Sequence, residues 1–351
     1  MEAKKEQGPS PEQTDLASVC TASFPAILNQ YGISLLVSTY QAGKLIVVRA
    51  DGTNLNTHFR NFQAPMGLAE RDGRLAIGTK NHLWDFRNQP LVAPKLEPTG
   101  RHDACYLPRS AHVTGDIRVH EIAFGADDLW IVNTRFSCLC TLDRDHNFVP
   151  RWRAPWITLL APEDRCHLNG LGMRDDQPHY LTCLGMTDTQ GGWRANKASG
   201  GCLLEYPSGK VLLKGLSMPH SPRWHQDRLW LLESGDGSIV SCDEKAATWM
   251  TMCRLPGFTR GLDFVGPLAF IGLSQVRESA TFSGLPLTER LQERICGVYV
   301  VDLRNGQTVA FLQFQAGVQE IFAVQVLHGI RYPDVLPEDE EKIANSFVLP
   351  D

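Results

Sequence analysis

Apolar runs recur along this chain, each led by a three-residue phrase: Met66-Gly-Leu, His120-Glu-Ile, Asn169-Gly-Leu, His220-Ser-Pro, Arg260-Gly-Leu and Gln319-Glu-Ile, spaced 40 to 59 residues apart. Further apolar stretches follow each phrase in similar register. After His220 come Arg228-Leu-Trp-Leu-Leu-Glu-Ser, Ser238-Ile-Val-Ser-Cys-Asp and Ala247-Thr-Trp-Met-Thr-Met-Cys; after His120 come Asp128-Leu-Trp-Ile-Val-Asn-Thr and Ser137-Cys-Leu-Cys-Thr-Leu-Asp. Runs of this length, rich in Val, Ile, Leu and Trp and broken by Gly, Asp and Asn, read as short strands. Four strands per repeat, without interruption, predict a β-propeller.

The last phrase leaves room for one strand before the acidic stretch 337–341, and one strand is not a blade. Three strand-like runs without a phrase of their own lie at the other end, at 34–40, 44–49 and 55–62. The pattern therefore predicts an all-β, six-bladed propeller whose last blade joins one C-terminal strand to three N-terminal ones, removing the free sheet edges. The expected division is a polar leader at 1–30, a single propeller domain at 31–336 and an acidic tail at 337–351.

Composition narrows the setting. Hydrophobic residues at 43% and charged residues at 21% suit a globular core, and a net charge of -5 gives no general attraction to nucleic acid. The ten cysteines lie scattered through strand-like runs with no zinc spacing, as buried thiols in a reducing compartment would. No signal-like or membrane-length apolar segment occurs, so the expectation is a cytoplasmic protein without membrane or nucleic-acid partners.

The uneven spacing places insertions at 98–118, 187–201 and 276–296. In propeller topology these loops emerge on one face, over one mouth of the channel. The phrase-leading residues should gather around the axis there, and strand alternation sends Asp116, Arg118 and His120 one way and Glu121 the other. The chemistry expected is a divalent transition metal (Zn, Fe, Mn or Ni) held by His120, His167, His220 and Asn169, since imidazole with amide or carboxylate donors suits such ions. Glu121, Glu320 and Arg260 are the candidate catalytic groups, the glutamates for proton transfer and the arginine for an anionic ligand. His102, His112, Asn133, Arg135, Trp193, Arg194 and Gln319 are candidate ligand-binding residues, with Arg277 and Glu278 nearby as a local ion pair. No P-loop, nucleophile elbow or triad order occurs, so no nucleotide cofactor is expected.

The phrases Arg118-Val-His-Glu, Cys166-His-Leu-Asn-Gly-Leu, Met218-Pro-His-Ser-Pro-Arg-Trp, Leu255-Pro-Gly-Phe-Thr-Arg-Gly-Leu and Gly317-Val-Gln-Glu-Ile-Phe resemble a bacterial family of conserved proteins that carry a domain of unknown function. The resemblance spans nearly the whole propeller and implies no activity. At the level of architecture the chain is also similar to gluconolactonase-like calcium propellers and to the peptide-amidating lyase propeller with its zinc histidines. The functional expectation is processing of a small molecule or peptide at a His-rich, metal-binding mouth, by a hydrolase, lyase or oxidoreductase. A metal-free acid–base enzyme and a non-catalytic scaffold binding a protein or small ligand through the same face are the alternatives.

Overall fold

A computed structural model of the chain describes residues 16–276, 282–336 and 340–349. The antiparallel blade strands form six small sheets in a ring, a six-bladed β-propeller. The innermost strands of the first five blades are Leu68–Arg71, Val119–Phe124, Leu168–Arg174, Pro219–His225 and Phe258–Val265. Blade six closes the ring as the pattern predicts: Ala323–His328 pairs with Ile33–Thr39, followed outward by Lys44–Asp51 and Asn54–Asn61. The register sets Val37 opposite Val324.

Central strands covered on both faces read as continuous apolar runs. Ile33–Thr39 and Cys296–Asp302 are buried at every position. The inner strands approach closely enough to dictate glycine after the phrase-leading residue. A Cβ on Gly170 would lie 2.2 Å from Thr182 Oγ1, and one on Gly261, whose φ is +79°, would lie 2.6 Å from the backbone nitrogen of Val324 in the next blade. All ten cysteines are free thiols.

Two sequence expectations need correction. The stretch read as the end of a polar leader is structured: Ser18–Cys20 adds an edge strand to blade five, and Ser23–Tyr31 is a helix. Phe24 and Leu28, one turn apart, are fully buried against blades five and six, while Gly32 ends the helix at φ +63°. Burying two such side chains contributes roughly 1.5–3 kcal/mol each, enough to order a segment whose composition is otherwise polar. The insertion at 98–118 is also not a mouth loop along most of its length. Ala104–Val113 is the fourth strand of blade one, on which Pro333–Val335 lies parallel. The short helix Glu340–Ala344 follows in the tail.

Candidate functional site

The inner strands deliver side chains to the axis in two tiers. The deeper tier holds Met66, His120, Asn169, His220, Arg260 and Phe322. The upper tier, two residues earlier in each blade, includes Arg118, His167, Met218, Phe258 and Glu320. Apart from Asn169, all of these residues line a cavity of about 330 Å³, together with Tyr40, Gln41, Lys80, Asp116, Leu184, Trp193 and Phe282. Arg118, His167 and Met218 have φ of 53°, 51° and 49°, a left-handed conformation uncommon outside glycine.

Blade six departs from the sequence register. Gln319 is exposed, and Phe322 takes the deeper position, its ring 4.8 Å from that of His120 and 3.5 Å from the guanidinium carbon of Arg260. Gln319-Glu-Ile resembles the other phrases, but strand pairing in this blade begins only at Ala323, opposite Ser38. Three residues of approach therefore precede the phrase that is structurally equivalent.

Three of the four deeper-tier polar side chains, His120, Asn169 and His220, meet a hydroxyl at the end of their own second strand, a recurrence missed in the sequence although Thr134, Thr182 and Ser234 fall in register. Thr182 Oγ1 donates to Asn169 Oδ1 at 2.7 Å. Thr134 Oγ1 donates to the carbonyl of Leu168 at 2.6 Å, so it can only accept from His120 Nδ1, 3.1 Å away. Arg260 Nη2 donates to His120 Nε2 at 2.6 Å. His120 is thus a neutral imidazole with both nitrogens engaged. His220 Nδ1 is 2.9 Å from the Met218 carbonyl and 2.9 Å from Ser234 Oγ, which puts its proton on Nδ1 and leaves Nε2 with no protein partner among the described residues. Burial, reinforced by the charge of Arg260, holds both histidines well below the ordinary imidazole range.

His167 is held differently. Its Nδ1 lies 2.9 and 3.1 Å from the two carboxylate oxygens of Asp164, which is 5% exposed and also accepts from Arg118 Nη1 at 3.1 Å. The carboxylate fixes the proton on Nδ1, and Nε2 has no protein partner among the described residues. Trp193 packs 4.5 Å from the His167 ring, and Arg194 covers Trp193 at 4.4 Å. Asp164 escaped the sequence reading because it sits in a loop; its φ of 52° matches that of His167.

Arg260 and Glu320 form an open pair. Arg260 Nη1 is 3.9 Å from Glu320 Oε1, and both Arg260 Nε and Glu320 Oε1 are buried without a hydrogen-bond partner. Glu320 Oε2 accepts from the backbone of Gln41 at 3.0 Å. Burial lowers the guanidinium to about 10 against the opposing carboxylates, and burial raises the Glu320 carboxyl.

Below the cavity the channel narrows to a void of about 10 Å³. Glu121 turns to this side and is closed by protein: Arg223 donates to Glu121 Oε1 and, at 2.9 Å, to the carbonyl of Leu171, while the Leu171 amide donates to Glu121 Oε2 at 3.2 Å. The Asn169 amide is engaged on both atoms, with Nδ2 2.9 Å from the Pro219 carbonyl.

The remaining candidates lie around or away from this centre. Arg135 pairs with Asp116 at the rim. Asn133 is buried, its Oδ1 accepting from the Phe136 amide at 3.0 Å within a turn. His102 and His112 do not join the mouth, because the strand Ala104–Val113 carries this segment to the blade's outer edge. His102 is buried beside Arg49 and 5.1 Å from the Tyr332 ring, and His112 is 3.1 Å from the Asn147 carbonyl. Arg277 and Glu278 lie outside the described residues. Among the described residues, no group of three or more His, Cys, Asp or Glu is arranged to hold a metal ion.

The family described as "Domain of unknown function (DUF4915)" matches residues 22–336. No curated protein sequence matches the chain. Among solved structures, a protein of unknown function from Bacteroides caccae is similar at a TM-score of 0.53 and 10% identity, over 84% of this chain and 98% of that one. A chain of a nidogen/laminin complex is similar at a TM-score of 0.52 and 9% identity, over 85% of this chain and 99% of that one. At these identities the likeness is one of fold, and neither match supports a gluconolactonase-like chemistry.

Proposed function

The chain belongs to the DUF4915 family, a membership that carries no activity, and we propose from the site itself that the mouth cavity processes a small molecule by metal-free acid–base chemistry, with His167 as the proton acceptor. The observation that carries this reading is the Asp164–His167 pair, whose oxygens hold Nδ1 at 2.9 and 3.1 Å on a residue lining the cavity. A carboxylate on one ring nitrogen fixes the tautomer and leaves the other nitrogen's lone pair free to accept a proton. Both residues adopt left-handed backbone, at 52° and 51°, a conformation that costs of order 1–3 kcal/mol each and clusters at functional sites. The cavity volume of about 330 Å³ is at the small end of the range of about 300–1,000 Å³ for ligand pockets. With its lower end constricted, the cavity favours a small molecule over a peptide threaded through the channel.

The divalent-metal expectation is the competing proposal. It requires Arg260 to leave His120 Nε2 and the Asn169 amide to give up its partners, so that the four neutral donors His120, His167, His220 and Asn169 are all free to bind. The two readings separate in one experiment: a library of small organic acids, alcohols and amides is incubated with wild type and His167→Ala, turnover is followed by NMR, and metal content is measured on the same samples. The proposal expects turnover in metal-free protein and a 10²–10⁴-fold loss in the variant, the usual effect of a general base. Undiminished turnover in His167→Ala overturns it, as does a stoichiometric metal lost together with activity on replacing His120 and His220.

A further inference from the structure

We infer that the ligand of this cavity is a small amphipathic carboxylate with a hydrogen-bond donor on the carbon next to the carboxylate and an apolar body, an inference that rests on the same cavity being the working site. Buried polar atoms in native proteins nearly always have partners, and the exceptions at a cavity mark what the protein lacks without its ligand. Among the described residues lining the cavity three such atoms stand, Arg260 Nε, Trp193 Nε1 and Glu320 Oε1, and the first and last are complementary, a donor and an acceptor on side chains 3.9 Å apart at their nearest charged atoms. A simple anion would satisfy the arginine and face the glutamate unfavourably. A simple amine or alcohol would satisfy the glutamate alone. A carboxylate flanked by a hydroxyl or ammonium group presents an acceptor and a donor side by side and satisfies both.

The arginine is prepared for this task. Its plane stacks on Phe322 at 3.5 Å, and one amino group is anchored on His120 at 2.6 Å. A guanidinium held at one edge offers its remaining donors in fixed geometry. Because burial keeps His120 neutral, the anchor adds no competing negative charge. At the entrance the cations Lys80, Arg118 and Arg135 outnumber the acids Asp116 and Asp164, which pair with Arg135 and Arg118, so an approaching anion meets net positive charge.

A further stretch of the wall is apolar apart from the Trp193 indole nitrogen. Leu184, Trp193, Met218, Phe258 and Phe282 belong to one buried cluster built from the insertions of blades three and five together with their inner strands, and all five line the cavity. The site therefore combines a polar patch at Arg260 and Glu320 with an apolar stretch of wall contributed by blades three, four and five, the arrangement that selects an aryl- or alkyl-bearing acid.

Calorimetric binding of 3-phenyllactate, 3-phenylpropionate and 3-phenyllactamide tests the inference. Wild type is expected to bind phenyllactate most tightly, with at least a tenfold loss for phenylpropionate, which lacks the donor, and for the amide, which lacks the charge. Arg260→Met should remove the preference for acid over amide, and Glu320→Met the preference for phenyllactate over phenylpropionate. Equal affinity for acid and amide in wild type overturns the inference, as does the absence of binding by all three; both are read on unmodified protein. His167→Ala is expected to retain the preference for acid over amide, which Arg260 sets, whatever its absolute affinity. Loss of the anchor and loss of the proposed base are thus read by different variants.

Discussion

Arg223 and Arg260 reach the axis of the propeller from adjacent blades and meet different fates. Arg223, at the waist, is closed by the Glu121 carboxylate and by the Leu171 and Pro222 carbonyls. Arg260, at the mouth, stacks on Phe322, leans on a neutral histidine and stands 3.9 Å from a glutamate with a vacant oxygen. The strand framework delivering them is the same. Satisfaction separates a brace from a binding group: the waist arginine ties blades two, three and four together, while the mouth arginine retains donors that the protein does not use.

The strongest way to break this comparison is to remove each arginine in turn. Arg223→Met strands the Glu121 carboxylate, which is 12% exposed. Breaking a buried pair at one partner costs about 3–5 kcal/mol; with the guanidinium a quarter exposed to solvent, a loss of about 2–4 kcal/mol is expected in urea unfolding. Arg260→Met removes a cation short of acceptors but leaves His120 Nε2 without its donor, so a loss of about 1 kcal/mol, smaller than that of Arg223→Met, is expected. Equal losses for the two variants would place Arg260 among the braces.

This contrast was only partly legible beforehand. The six-fold recurrence, the closure of blade six by both termini and the alternation that separates His120 from Glu121 all follow from periodicity, which a strand cannot hide. The true phrase in blade six was masked because Gln319-Glu-Ile resembles the others while the pairing starts later. Asp164 was invisible because a loop residue's direction depends on backbone torsion, and periodicity carries no trace of a φ of 52°. His102 and His112 were misplaced because a long connection and an outer strand look alike in apolar content. The closure of Glu121 by Arg223 needed the spatial neighbourhood of residues 102 positions apart.

Acid provides a second separation, since the waist pair contains no histidine. His120 and His220 are held below the ordinary value of 6.5 in the fold by burial and by Arg260, and they regain it on unfolding. Below that pH the unfolded chain binds more protons than the native one, so stability is lost as pH falls, by at most about 1.4 kcal/mol per pH unit for each histidine. Glu320 has the opposite sign: burial raises its carboxyl in the fold, so its contribution weakens as pH rises above the ordinary carboxylate range. Urea midpoints at pH 5, 6 and 7 should fall toward acid in wild type, and His220→Asn should flatten that slope. A slope unchanged in the variant would assign the acid limb to groups outside the cavity.

The finest test lies within the mouth, between its two neutral histidines. Thr134→Val deletes the acceptor for His120 Nδ1 and a donor to the Leu168 carbonyl, leaving the His120 N–H without a partner in the interior; about 1–2 kcal/mol is expected. Ser234→Ala removes one of two acceptors from His220 Nδ1, and the Met218 carbonyl at 2.9 Å remains, so a loss of only about 0.5 kcal/mol is expected. Nitrogen chemical shifts of the two rings provide the independent reading. In Thr134→Val the proton on His120 no longer has a fixed partner on Nδ1, but it cannot move to Nε2, where Arg260 already donates. The tautomer of His120 should therefore survive the loss of its hydroxyl, held from the opposite side of the ring. A shift to the Nε2-protonated form would mean that Arg260 moves freely in solution, and with it the anchor that sets the mouth apart from the waist.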